Sequence, residues 1–262
     1  MDPQRLPDWR IHRAVEVAAD STLPGGETVK AGDLAIVVAE TMSSQHGPVM
    51  IPVVSPYSLA LSIAIRASHA AQAIWRRVKF EHLPSTGKFK FIQQGNSPSL
   101  FDYFEQSMIS ATFSFQALEA FANQVMEDRL GGGQTYTVTR KKGPQTLDSA
   151  SLQRELSTEE KLATVLPDLF KVISPKGKKI WQRFVGLKRV RDATVHLKTA
   201  DHYVVGSVDK QTLFYQLLNH NAREFPRVSI DLMTYYNAGQ QPTWLAYAQE
   251  QLEQPEPEPN ST

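Results

Sequence analysis

The chain of 262 residues contains no cysteine. Disulfide frameworks, thiolate nucleophiles and zinc or iron–sulfur sites built on cysteine are therefore excluded. The 28 basic and 27 acidic side chains nearly cancel, which leaves a formal net charge of +1. Any catalysis must use other groups, and any binding of a charged partner must depend on a local concentration of charge.

Long apolar runs are also missing. The most apolar stretch, residues 49–65, is interrupted by Pro52 and Pro56, and it falls short of the roughly 20 apolar residues that a spanning helix needs. The first twenty residues carry several charged side chains and no apolar run, so no secretory signal is predicted. We therefore expect a cytoplasmic protein without a membrane segment.

Turn-forming residues dominate the first part of the chain. Residues 1–55 are rich in proline and glycine and hold two short apolar runs, so we expect an N-terminal extension containing short strands. A first helix is predicted to begin at Pro56, with an apolar stripe that includes Leu59 and Ile63. A second, from about residue 99, is expected to end before the three glycines that begin at Gly131.

The remaining chain continues in helical segments. Ser157, followed by Thr-Glu-Glu, predicts a capping box for a third helix that Pro167 limits. Pro226 is expected to kink or break the fifth helix. The other expected elements are a strand at 135–139, helices at about 178–198 and 209–237, and a helical turn at 244–252. The sequence thus predicts a mainly α protein with an extension (1–55), a helical domain (56–252) and a disordered polar tail (253–262).

Positive charge is concentrated between Lys171 and Lys198. Nine basic side chains stand there against the single acid Asp192, a net charge of +8. Such a segment is typical of a surface that binds a polyanion. The alternative is a solvated helix face whose charge is offset by nearby glutamates, Glu155, Glu159 and Glu160.

The positions of individual side chains on the helix predicted at about 178–198 bear further on its function. Arg191 falls near the middle of an apolar stripe, so its guanidinium must be paired, reach water, or face a cleft or interface. His196 lies about 140° further round the helix. Asp192 precedes His196 by four residues, a spacing at which its carboxylate can orient the imidazole and raise its pKa. The alternative is that Asp192 bridges Lys188 and His196 on a solvent-exposed face.

Three segments together resemble a known family. The run at 184–196, FVGLKRVRDATVH, resembles the signature of the HEPN (higher eukaryotes and prokaryotes nucleotide-binding) domain, in which a polar residue and then a histidine follow an arginine. Residues 113–123, FSFQALEAFAN, are similar to the long helix of the family, and residues 156–162, LSTEEKL, to its short intervening helix. The resemblance implies a HEPN-like helical bundle acting as a homodimeric, metal-independent endoribonuclease without a cofactor.

The resemblance also implies roles for individual residues. His196 would act as general base or general acid in cleavage of an RNA phosphodiester, and Arg191 would stabilise the charge of the transition state. Asp192 would orient His196 or help to bind RNA. The neighbouring cations would contact RNA: Lys188, Arg189 and Lys198. From its apolar setting in the second helix, Glu119 is predicted to pair with Arg191 across the core; an exposed Glu119 at the helix edge is the alternative.

The resemblance leaves partners and activity partly open. A role in bacterial defence or toxin–antitoxin systems, with an antitoxin or other regulatory partner, follows by family analogy alone. In HEPN toxins silenced by a nucleotidyltransferase a tyrosine stands two residues after the histidine, whereas this chain has Lys198 there. Non-catalytic HEPN domains that bind nucleotide, RNA or proteins are the second interpretation. The dispersed histidines lack the i, i+4 spacing of a helical metal site, so we expect no metal.

Overall fold

The protein is mainly helical, as the sequence predicts. The structure is a computed structural model, and it describes residues 8–12, 14–16, 20–22, 26, 28–31, 34–36, 42–82, 90–140, 143–197, 212–237 and 242–254. Its α-helices are α1 (Pro56–Trp75), α2 (Ser97–Leu130), α3 (Ser149–Glu155), α4 (Thr158–Glu160), α5 (Leu166–Phe170), α6 (Lys179–Val195), α7 (Leu213–Asn219), α8 (Glu224–Tyr236) and α9 (Thr243–Glu253). A π-helical turn, Lys161–Val165, joins α4 to α5.

Short antiparallel strand pairs accompany the helices. The strands are β1 (Ala14–Glu16), β2 (Ser21–Thr22), β3 (Thr28–Val29), β4 (Leu34–Ile36), β5 (Met42–Ser44), β6 (Gly47–Val49), β7 (Phe80–His82), β8 (Lys90–Ile92), β9 (Thr135–Arg140) and β10 (Gly143–Asp148). β1 pairs with β4, and the others pair with their sequence neighbours. The strands expected before residue 55 are therefore present. At 135–148 the sequence predicted one strand, whereas the structure has a hairpin.

The core is built on the packing of α1 against α2. Ser55 caps α1 by accepting a hydrogen bond from the backbone N–H of Ser58, and Pro56 occupies the first turn, as predicted. The apolar stripe predicted for α1 is correct only in part: Ala67 is buried, whereas Leu59 is 39% exposed. The buried face of α1 instead carries many alanines and serines, whose small side chains let α2 approach closely.

The segment after the capping box departs from the prediction. Ser157 and Glu160 form the capping box, but Pro167 does not end the helix, which continues to Phe170. A proline removes one backbone N–H and so frees a carbonyl in the preceding turn. Here the Ala163 carbonyl accepts a hydrogen bond from the Ser174 hydroxyl at 2.7 Å, and the Leu162 carbonyl accepts one from Tyr236.

Two further boundaries differ from those expected. The fourth predicted helix, α6, ends at Val195 rather than near 198. The fifth is two helices, α7 and α8, separated at 220–223, and Pro226 lies in the first turn of α8 rather than at the break. Residues 209–211 and most of the predicted tail, 255–262, lie outside the described residues. The C-terminal end of α6 lies beside α2 and α7, since Thr194 lines one cavity together with residues of both helices.

Candidate functional site

Helix α6 presents its apolar face to the middle of α2. Phe184, Leu187 and Val190 are buried on that face, and the ring of Phe184 stacks on that of Phe115 with 6.0 Å between centroids. The two helices run antiparallel, since Phe115 contacts Arg191 while Thr112, one turn earlier on α2, lines the same groove as Thr194, one turn later on α6. This arrangement places Arg191 directly over an aromatic ring.

The guanidinium of Arg191 is restrained by this ring. Its central carbon lies 3.7 Å from the centroid of Phe115, a cation–π contact well within the usual range. One of its terminal nitrogens lies 3.1 Å from Oδ1 of Asp192, and the side chain is 25% exposed. Its Nε is buried and, among the described residues, has no hydrogen-bond partner. Arg191 is thus a partly desolvated cation with hydrogen-bonding capacity to spare.

The predicted ion pair between Glu119 and Arg191 does not form; the acid beside Arg191 is Asp192. Glu119 lies one turn beyond Phe115 on α2. Because α2 and α6 are antiparallel, that turn lies further from the C-terminal end of α6 than Phe115 does. The charge of Glu119 acts instead on Lys161, which is 1% exposed. Burial lowers the pKa of Lys161, and Glu119 partly counteracts this.

The predicted contact between Asp192 and His196 is also absent. Asp192 uses Oδ2 to bind Nζ of Lys188 at 3.2 Å and Oδ1 to bind Arg191. His196 caps the C-terminus of α6 with non-helical backbone angles, and its N–H donates to the Asp192 carbonyl at 2.9 Å. Because the helix ends at Val195, the imidazole does not share the helix face of Asp192, as the i, i+4 spacing would otherwise require. It is exposed and bonds to no other described residue.

The remaining cations have different surroundings. Arg189 is exposed, and together with the larger effect of burial its charge lowers the pKa of His220. Arg183, at the start of α6, pairs with Glu224 at 3.1 Å and with Asp231, both on α8. Lys198 lies outside the described residues. The charge of the segment is therefore offset in part by acids that the sequence analysis did not assign to it.

A groove that the sequence analysis missed adjoins Arg191. It is a cavity of about 450 Å³ between α2, α7 and the end of α6, and we call it the phenylalanine groove. Its lining residues are Phe101, Phe104, Glu105, Met108, Ile109, Thr112, Phe113, Thr194 and Phe214. Phe101, Phe104 and Met108 recur at helical spacing in the sequence, and such periodicity does not distinguish a core face from an open groove. The exposure of Phe101, 64%, marks the difference.

No protein-family model matches the chain, and no curated protein or solved structure is detectably similar to it.

None of the described helices is long and apolar enough to cross a membrane. Within the described ranges no three histidine, aspartate or glutamate side chains cluster as metal ligands. The site itself combines a guanidinium held on an aromatic ring, a carboxylate shared by two cations and an exposed imidazole. Such groups can bind an anion and move a proton.

Proposed function

We propose that this protein is a HEPN-like, metal-independent endoribonuclease whose site is shared between two copies of the chain. The observation that carries the proposal is the state of Arg191, which is held on Phe115, is partly desolvated and, among the described residues, pairs with the single acid Asp192. That acid also serves Lys188. One carboxylate beside two cations leaves a local excess of positive charge, which favours binding of a phosphodiester.

The residues support a cleavage mechanism without a metal. His196, neutral, would accept the proton of a ribose 2′-hydroxyl as that oxygen attacks the adjacent phosphorus, and a cyclic phosphate would result. The leaving 5′-oxygen would take a proton from a second, protonated imidazole. Arg191 would stabilise the additional negative charge on the phosphoryl oxygens. One chain supplies one His196, so two proton transfers at one phosphodiester favour a site made by two chains.

A specific observation favours a second candidate, a non-catalytic RNA-binding or regulatory module. The carboxylate of Asp192 is occupied by Lys188 and Arg191, and no described residue orients the imidazole of His196. A general base normally lies within hydrogen-bond reach of a group that fixes it. In this alternative the cations hold RNA, and His196 takes no part in chemistry.

The decisive experiment is incubation of the pure protein with structured and single-stranded RNA in EDTA. We expect the native protein to cleave RNA under these conditions. His196→Ala should reduce cleavage at least about a hundredfold, the lower end of the effect of losing a general acid or base. Arg191→Ala should abolish cleavage. His46→Ala and Arg66→Ala remove an exposed histidine in the β5–β6 turn and an exposed arginine on α1, so they are matched controls that keep full activity. Intact RNA across the panel, with salt-dependent binding, would favour the non-catalytic module.

Mixing the native chain with an inactive variant tests whether the site is shared. A mixed dimer of the native chain with His196→Ala holds one His196 instead of two. If two imidazoles act on one phosphodiester, such dimers are inactive, and cleavage falls with the square of the native fraction once subunits exchange. If each chain holds a complete site, cleavage falls in simple proportion to the native fraction.

A further inference from the structure

The phenylalanine groove has open aromatic walls. Phe104 of α2 and Phe214 of α7 pack with 5.0 Å between ring centroids. Phe101, at the rim, is 64% exposed, and Phe214 is 37% exposed. Water-exposed aromatic surface of this extent is costly, and its concentration in one concave site points to a ligand with an apolar or aromatic face.

The groove continues directly from the Arg191 site. Thr112 lies one turn before Phe115 on α2, and Thr194 lies one turn after Arg191 on α6. One helical turn is about 5 Å, so the Arg191–Phe115 contact lies about one turn from the part of the groove that Thr112 and Thr194 line. In a nucleotide, a single sugar separates the phosphate from the base. A base can therefore enter the groove while its phosphate contacts Arg191.

Charge around the groove defines the direction of the backbone. Arg191 and Lys188 lie on the α6 side, where Asp192 offsets one of the two charges. On the α2 side the exposed Glu105 lines the groove and repels phosphate. A polyanion is thus held along α6 with its apolar parts directed towards α2. Aromatic faces beside cations are the combination by which proteins bind single-stranded nucleic acids.

We propose that the phenylalanine groove is a subsite for an unstacked base of single-stranded RNA, adjacent to the phosphodiester bound at Arg191. The inference rests on the proposed function for its ligand and adds the substrate class, since paired bases in a duplex do not offer their faces to a groove. A cavity of about 450 Å³ lies in the size range of small-ligand sites.

The test is the affinity of a fluorescently labelled, single-stranded 2′-O-methyl adenosine oligonucleotide, which lacks the attacking hydroxyl and is not cleaved. Loss of one aromatic stacking partner weakens such complexes by about tenfold, so we expect this effect from Phe101→Ala. Phe101→Trp should retain the affinity, and the dependence on salt should not change because no cation is removed. Phe91→Ala, which removes an exposed phenylalanine of β8, 45% exposed, is the matched control.

An oligonucleotide of the same length with abasic sites should bind the native protein and Phe101→Ala equally weakly. Equal affinity of the native protein and Phe101→Ala for the intact strand would overturn the proposal. A dimer that becomes monomeric on this substitution would also overturn it, because a second copy of the chain, and not RNA, would then cover the groove. If Phe101→Ala leaves cleavage unchanged, the base subsite is rejected and the proposed nuclease activity is retained. If binding requires Phe101 but no RNA is cleaved, the subsite is retained and the nuclease activity is rejected. If the protein binds no RNA at all, both proposals are rejected.

Discussion

The contact between Arg191 and Phe115 makes a quantitative prediction about stability. A double-mutant cycle with Phe115→Leu and Arg191→Met isolates the interaction, because each change removes one partner and keeps an apolar side chain of similar length. Phe115 is 2% exposed and the side chain of Arg191 25%, so the pair lies between the exposed and the desolvated case. We therefore expect a coupling free energy of about 1–2 kcal/mol.

Urea denaturation of the four proteins, followed by far-UV circular dichroism, measures this coupling. A matched cycle uses Lys176 and Trp181, whose charge and ring are 5.9 Å apart, with Lys176 exposed; a smaller coupling is expected there. A value for the Arg191 pair below about 0.5 kcal/mol, the usual error of additivity, would refute the reasoning. It would mean that the aromatic ring does not hold the guanidinium in place, and the proposed function would lose its main support.

Three further substitutions test other parts of the structure. Burial lowers the pKa of Lys161 from its usual 10.5, so just below pH 10.5 the unfolded chain binds more protons than the native protein. The stability of the native protein relative to Lys161→Met should therefore rise as the pH approaches 10.5, and a flat difference would show that Lys161 is not desolvated. Ser157→Ala removes the capping box and should lower the free energy of unfolding by about 1 kcal/mol, whereas Ser43→Ala on an exposed strand should not. Lys171 adopts φ +57°, so Lys171→Gly should raise the free energy of unfolding by roughly 0.5–1 kcal/mol; a lower melting temperature would contradict the assigned backbone.

Local signals in the sequence located several helix ends. Pro56, the glycines from Gly131 and the capping box at Ser157 all act through residues close in the chain, so their effects can be read without knowing the fold. Pro167 failed as a stop signal for the opposite reason. The carbonyls that it frees are satisfied by Ser174 and Tyr236, and only tertiary structure brings the Tyr236 hydroxyl to that turn.

The site was predictable only as far as one helix determines it. The apolar face of α6 and the place of Arg191 on it follow from helical periodicity. The partners do not, because they depend on which face of α2 and α8 meets α6. Phe115 therefore occupies the position that Glu119 was expected to take, and Glu224 and Asp231 bind Arg183. The stripe of α1 was wrong at Leu59 for a similar reason, because the face of α1 that packs against α2 carries mainly small side chains.

The geometry of Asp192 limits what a single chain can do. Its two carboxylate oxygens bind Lys188 and Arg191, so the group that would have fixed His196 is already used. If Asp192 turned towards the imidazole, it would give up its present contacts with Lys188 and Arg191. Within one chain, these two ion pairs and a His196 oriented by Asp192 therefore exclude each other. No described residue of the chain orients the imidazole, so an imidazole that acts in catalysis takes its orientation from outside these residues. The mixing experiment asks whether a second copy supplies it, and it therefore bears more directly on the mechanism than either single substitution.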